Sequence, residues 1–575
     1  MTPGQNSSPP WLKAAVGYSD IFGHTLPLNE IIDRIRQIPL QSWIKFVSAV
    51  SLVLDRDGYA NQATNEQLAR TFATMDYRAL LTAYLQSKGY LLFSPIALVS
   101  LAKLAVAYAD ESVAQPPVPE LEFIFRTYLA VQDHIQGPLL AIDETEPKVT
   151  LLRFLVRNVA FAVNPSILDS LTRIWTLFCK YPAEIGSTID PQQIFQAATG
   201  IALPRFFALA FGILARNLSV DTNSSASMAS SIPVNQNTLF KNTRAKYDEI
   251  RDFFELLTLT QNDIGEIRNE DLNSPAYFYD FTAFRQRPLY RVGGDTLAPL
   301  FFPFYRWRIT DGLYWDIWWA ANNHRRHGLK GINAESFAQA FGYYFEQYIQ
   351  QLFMRALAEP NTLAQRVWKE PRDTAQAPTA DLVIAYPNAY IFIEVKATRF
   401  KYVESMVRGD IAAIEDDLRQ MVHEPALQLG NAINHFKSGK LAGLGLTWQG
   451  QPIFPMIVTY GASMYGVMAK LLRNESWCQE LCNQPGVMDL EILNAEEASR
   501  LASLAMKGYA LVDVLSQKQS SSYGHQPFQN YLIETYGDDS EPRYILTEEW
   551  KAFEQMVDQE LFGNSEDEAN LDVIQ

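Results

Sequence analysis

The stretch DLVIAYPNAYIFIEVKA, residues 381 to 397, constrains the fold more than any other part of the chain. Two apolar runs flank Pro387 and Asn388, a turn signal, so the stretch predicts a β-hairpin. Both arms are almost uniformly hydrophobic, which calls for strands buried on both faces. Each arm nevertheless carries charge at its far end: Asp381 on one, Glu394 and Lys396 on the other. If the turn is centred on Pro387-Asn388, Ile384 faces Ile391 and Asp381 falls opposite Glu394. Opposed residues share a face, with Cα atoms roughly 4.5 to 5.5 Å apart. Lys396, two residues beyond Glu394, projects from that face as well. An asymmetric loop would break this register.

Two carboxylates in a poorly solvated place repel each other, and one takes up a proton unless a cation stands between them. Carboxylate oxygens with water are the ligands that Mg²⁺ prefers, and Mn²⁺ accepts the same set. A lysine beside such a pair orients or activates water and stabilises developing negative charge. The constellation therefore predicts metal-assisted hydrolysis, with Asp381 and Glu394 as metal ligands and Lys396 at the reacting water. The competing reading is an ordinary cross-face ion pair on a surface strand, which also produces Glu-x-Lys.

The flanking segments bear on that choice. In NAESFAQAFGYYFEQYIQQLF (333 to 353), Asn333 is a helix cap, and Phe337, Phe341, Tyr344, Tyr348 and Leu352 recur at helical spacing. Glu346 lies at the margin of that face, one turn after Gly342, whose missing side chain leaves room; the alternative is an exposed glutamate on an amphipathic helix. In EPALQLGNAINHFKSGK (424 to 440), Ala426, Leu429, Ile433 and Phe436 form a stripe, with Gln428 on another face that is either turned to the site or solvated. IFPMIVTYGA (453 to 462) and VMDLEILN (487 to 494) read as further strands, and Asn494 with Glu497 forms a capping box for the next helix.

In these residues the chain resembles the PD-(D/E)XK, or restriction-endonuclease-like, nuclease superfamily. Asp381 matches the first acid of that motif, and Glu394, Val395 and Lys396 match its second element; Ala380 stands where the motif has proline. The resemblance implies an α/β core with a central mixed sheet and covers about residues 331 to 515. It further implies that Glu346 completes the metal shell, that the Val395 carbonyl reaches the metal, and that Gln428 orients water or phosphate. The activity it implies is Mg²⁺-dependent hydrolysis of phosphodiester bonds, with DNA as the expected substrate and bacterial restriction or anti-phage defence as a setting in which such chains occur. The rival is a non-catalytic nucleic-acid-binding or scaffold protein that keeps the fold.

The formal charge of −16 is unexpected for a protein that grips polyphosphate, but it is segregated. Between residues 283 and 331 eight basic residues stand against three acidic ones, interleaved with Tyr305, Trp307, Trp315, Trp318 and Trp319. Arginines among aromatics suit phosphate contact and base stacking, so Arg306, Arg308, Arg325, Arg326 and Lys330 are expected at a nucleic-acid surface. The alternative is a core of aromatics with a rim of arginines. The acidity elsewhere leaves room for a protein partner or a second copy of the chain.

The remaining chain divides on composition into a mostly α-helical region (1–220), a polar linker or mobile loop (221–237), an aromatic and basic connecting region (238–330), the nuclease-like domain (331–515), and an extension ending in an acidic tail (516–575). Three cysteines, Cys179, Cys478 and Cys482, argue against a disulfide scaffold or zinc site and fit a reducing cytoplasm. The first residues lack the pattern of a secretory signal. Apolar runs such as SPIALVSLAKLAVAYA (94 to 109) are short and interrupted by charge, as expected of buried helices rather than membrane spans.

Overall fold

The computed structural model describes residues 15–563, apart from 89, 114–119, 141–146, 160–165, 220–232, 275, 361, 372–379, 462–470 and 525. Most of the expected linker and the acidic tail lie outside the described residues, as does the start of the chain. The chain is α/β: a predominantly helical N-terminal half leads into a mixed five-stranded sheet. Helices precede a small antiparallel sheet of β1 (Val234–Asn235), β2 (Leu289–Gly293) and β3 (Thr296–Pro299), in the order β1-β3-β2. The large sheet contains β4 (Arg366–Lys369), β5 (Leu382–Ala385), β6 (Tyr390–Lys396), β7 (Ile453–Thr459) and β8 (Glu491–Asn494), in sequential order. The pairings β4–β5 and β5–β6 are antiparallel; β6–β7 and β7–β8 are parallel.

The hairpin closes around Pro387 and Asn388 in the symmetric register, with Ile384 opposite Ile391 and Leu382 opposite Ile393. Its uniformly apolar strands follow from cover on both sides. Ile391, Ile393 and Val395 enter one core with Phe345 and Ile349 of the helix Ala334–Ala358 and with Ala498 and Leu501 of the helix Ala495–Met506. Tyr390 and Phe392 enter a second core with Leu429, Ile433 and Phe436 of the helix Glu424–Lys437. Each such side chain, fully buried, contributes roughly 1.5–3 kcal/mol.

Local chemistry sets the ends of the covering helices. The Asn333 side chain accepts from the Ser336 amide (2.8 Å), and Ser336 Oγ accepts from the Asn333 amide (3.0 Å), starting the helix that carries Glu346. The capping box at Asn494 is reciprocal, with Glu497 N to Asn494 Oδ1 at 2.8 Å and Asn494 N to Glu497 Oε2 at 2.9 Å. Both satisfy amides that the first helical turn would leave open.

The first core is one cluster with members from Val16 to Leu561, drawn from both sides of every boundary suggested by composition. The helix Thr547–Leu561 packs on Leu203–Leu218, and Leu152, Leu155 and Val156 of the helix Pro147–Val159 belong to the second core beneath the large sheet. The N-terminal half is thus part of what holds the sheet. Among the described residues, no single helix is long and apolar enough to cross a membrane. The helix Pro95–Tyr108 is buried along nearly all its length, including Lys103, which pairs with Glu270.

Candidate active site

The acids of the hairpin meet at one edge of the large sheet, the end at which β5 starts and β6 finishes. Asp381 precedes β5, and its Oδ2 accepts a 2.7 Å hydrogen bond from the amide of Val395. Glu394 projects from the same face of the hairpin as Asp381, and its Oε1 accepts from Lys396 Nζ at 2.8 Å. Glu394 is buried, whereas Lys396 keeps 26% of its side chain exposed, so the lysine is the more accessible member of the pair. In a strand the N–H and C=O of one residue point to the same side. The Val395 carbonyl is therefore turned toward the Asp381 side of the ladder.

Glu346 comes from the helix that crosses this edge. Gln350, one turn further along, donates from Nε2 to Glu346 Oε1 (2.9 Å) and to the Asp381 carbonyl (3.1 Å), tying the helix to the start of β5. A Cβ added at Gly342 would meet nothing within 4 Å, which agrees with the room expected one turn before Glu346. Sequence reasoning missed Glu370 and Gln350. Glu370 follows β4, donates its amide to the Asp381 carbonyl (3.0 Å), and has φ 42°, the only positive φ outside glycine among the described residues. Such a conformation costs free energy and persists where surrounding contacts impose it.

Charge is unbalanced here. Burial pushes the Glu346 carboxyl up to about 7, with Asp381, Glu370 and Glu394 adding to the rise and Lys369 opposing it. Glu394 is raised by burial and then by Asp381, against the pull of Lys396. Asp381 is raised by burial and by Glu370, against the Val395 amide and Lys396. Four carboxylates share the site with Lys396 and Lys369, and a cation would relieve the repulsion. Among the described residues no three His, Cys, Asp or Glu side chains converge into a ready-made metal cage. The donors on this edge are the carboxylates of Asp381 and Glu394, the Val395 carbonyl and, on the crossing helix, Glu346; these are hard oxygen donors of the kind Mg²⁺ takes together with water.

Gln428 does not join this group. It is exposed on its helix, which turns Ala426, Leu429, Ile433 and Phe436 into the core, and among the described residues it shares no hydrogen bond with Asp381, Glu394 or Lys396. The basic segment divides. Arg325, Arg326 and Lys330 are exposed in the turns before the Glu346 helix, as a phosphate-contacting loop requires. Arg306 and Arg308 correct the expectation, because both are buried. Arg306 pairs with Asp55 at 2.6 Å; Arg308 pairs with Asp316 and donates to the Gln286 carbonyl at 2.9 Å. Tyr305 is also core and donates its hydroxyl to the Ala210 carbonyl at 2.8 Å. Much of the aromatic and basic stretch is thus a seam between helices. Trp319, half exposed, is an exception.

No protein-family model matches the chain, and no curated protein matches it.

Proposed function

We propose that the chain is a metal-dependent nuclease of restriction-endonuclease-like fold that hydrolyses phosphodiester bonds, with DNA as its substrate. The observation that carries this reading is the bond from the Val395 amide to Asp381, which brings the first acid against the Glu394-Val395-Lys396 triplet at an edge overhung by Glu346. Support also comes from the sheet itself, an antiparallel hairpin continued by two parallel strands with helices on both faces.

The oxygen donors fit Mg²⁺, for which Mn²⁺ would substitute: Asp381, Glu394 and the Val395 carbonyl would hold the ion, with Glu346 completing the shell. The ion supplies a lower pKa for water and a counter-charge for phosphoryl oxygens. The protein supplies the rest. Lys396 turns from Glu394 to donate a hydrogen bond to the attacking water or a non-bridging phosphate oxygen. Gln350 holds Glu346 in place through Oε1. Arg325, Arg326 and Lys330 approach the phosphate backbone from the loop before the Glu346 helix.

The test is cleavage of supercoiled plasmid, linear duplex, single-stranded DNA and RNA by wild type and Lys396→Ala, with Mg²⁺, Mn²⁺ or EDTA. Metal-dependent cutting of DNA that disappears in the variant is the expected result. Absence of cutting, together with no rise in melting temperature on adding either metal, overturns the proposal.

A further inference from the structure

Three residues beyond Lys396, Arg399 is held in an arrangement that its own contacts leave unfinished. Its guanidinium carbon lies 3.5 Å from the ring centre of Tyr314, 4.0 Å from that of Tyr460 and 4.7 Å from that of Phe341. Both terminal nitrogens, Nη1 and Nη2, are buried and have no hydrogen-bond partner among the described residues. Rings attract a guanidinium through their faces but accept no conventional hydrogen bond from it and do not neutralise it. A guanidinium brings five N–H donors in a fixed fork. Leaving buried donors of a charged group unmet is costly and calls for a physical cause.

Among the described residues no ion pair joins Arg399 to an acid, and the acid that touches the cage is turned to other partners. Asp311 Oδ1 accepts the Tyr460 hydroxyl at 2.6 Å and lies 4.0 Å from Arg173 Nη2. The cage therefore holds the cation of Arg399 without pairing it.

The position is as telling as the chemistry. Tyr460 follows Thr459, the partner of Lys396 in the β6–β7 ladder, and its amide donates to the Lys396 carbonyl at 3.0 Å. Phe341 belongs to the helix that carries Glu346. Two of the three rings thus come from the end of β7 beside Lys396 and from the helix that carries Glu346, while Tyr314 is contributed by the preceding helix Gly312–Asn322. That site is rich in carboxylates, and a polyanion approaching it needs cations close by. An arginine fork matches two oxygens of one phosphate at once.

We infer that Arg399 is a phosphate clamp, held in reserve by Tyr314, Phe341 and Tyr460 and turning its fork onto a backbone phosphate next to the one attacked when nucleic acid docks. The inference rests on the nuclease reading for its ligand.

It is tested on the full chain in EDTA, so that the probe is not cut, by the anisotropy of fluorescein-labelled duplex DNA, single-stranded DNA and RNA across a range of NaCl concentrations. Compared with wild type, Arg399→Met should bind about tenfold more weakly and show a slope of log Kd against log salt lower by about one, the signature of one lost phosphate contact. Arg399→Lys, which keeps the charge but loses the fork, should recover the slope and only part of the affinity. Neither change should lower the melting temperature of the free protein by more than a few degrees, because no hydrogen bond from Nη1 or Nη2 is lost. Arg399→Met with wild-type affinity and slope overturns the inference. So does a fall in melting temperature with an unchanged slope, or a wild-type chain that binds none of the three probes. Arg399-dependent binding by a wild-type chain that cuts nothing with Mg²⁺ or Mn²⁺ sinks the nuclease reading and leaves the clamp standing. Cutting by wild type with no effect of Arg399 on binding does the reverse.

Discussion

The amide of Val395 donates a 2.7 Å hydrogen bond to Oδ2 of Asp381, so an acid that precedes one strand is fastened to the middle of the charged triplet on the next. The bond needs an acceptor at that point and makes no demand on its charge. Structure and charge at residue 381 can therefore be separated experimentally.

Asp381→Asn keeps an oxygen for the Val395 amide and removes the negative charge. Its melting temperature in EDTA should stay within a few degrees of wild type. The rise on adding Mg²⁺ or Mn²⁺ should vanish, and cleavage should fall by about a hundredfold or more, the scale expected when a group stabilising transition-state charge is lost. A variant that still cuts at the wild-type rate would remove Asp381 from the proposed metal site.

Glu346 predicts a pH dependence of a particular sign. Its folded-state pKa, about 7, lies above the ordinary glutamate value, so between the two the folded protein holds a proton that the unfolded chain has released. Stability from this group is present at low pH and is lost as pH rises through about 7. In EDTA, wild type should lose on the order of 1 kcal/mol between pH 5 and pH 8 from this source, reduced by solvent screening. Glu346→Gln should flatten that part of the profile and melt higher than wild type at pH 8. Thermal melts across the range check it, and a variant with the wild-type slope would show that Glu346 does not carry the excess charge.

The two kinds of arginine should part company. Arg306→Ala strands the buried Asp55 carboxylate, whose pKa burial already pushes up against the pull of Arg306, and should cost about 3–5 kcal/mol. Replacing both Arg325 and Arg326 by alanine should leave the melting temperature unchanged and weaken DNA binding, with a lower salt slope. Denaturant unfolding and salt-dependent binding distinguish the two; a destabilised Arg325/Arg326 variant would contradict their exposure.

Phe392→Ala opens a hole at the centre of the sheet, where the ring lies 5.4 Å from that of Phe436. The expected cost is about 3–5 kcal/mol, read as a drop in the denaturant midpoint with little change in slope.

What the chain reveals of itself depends on how local the cause is. The hairpin register was readable because a two-residue turn and a buried face leave one alignment, and Asn333 and Asn494 were readable because a cap acts within three residues. Arg306 was not, because its partner Asp55 lies 251 residues away, and arginines among aromatics look the same in a buried seam as on a binding surface. The small sheet escaped notice because β1 has two residues and pairs with a strand about sixty positions on. Gln350 and Glu370 obey no period: one is a polar residue on an amphipathic helix, the other a strained residue after a short strand, and only the fold brings them to Asp381.

The core that joins Val16 to Leu561 has a consequence for how the molecule comes into being. Chain synthesis is vectorial, and the helix Thr547–Leu561, which braces Leu203–Leu218, is among the last described parts to leave the ribosome. Until it does, an apolar face of the N-terminal half lacks its cover, although the hairpin with Asp381 and Glu394 was made some 150 residues earlier. A truncated or nicked chain therefore exposes greasy helices for chaperones and proteases to find. The cover of the N-terminal helices, and with it the frame around the hairpin, thus waits on residues more than 300 positions downstream of Leu203–Leu218.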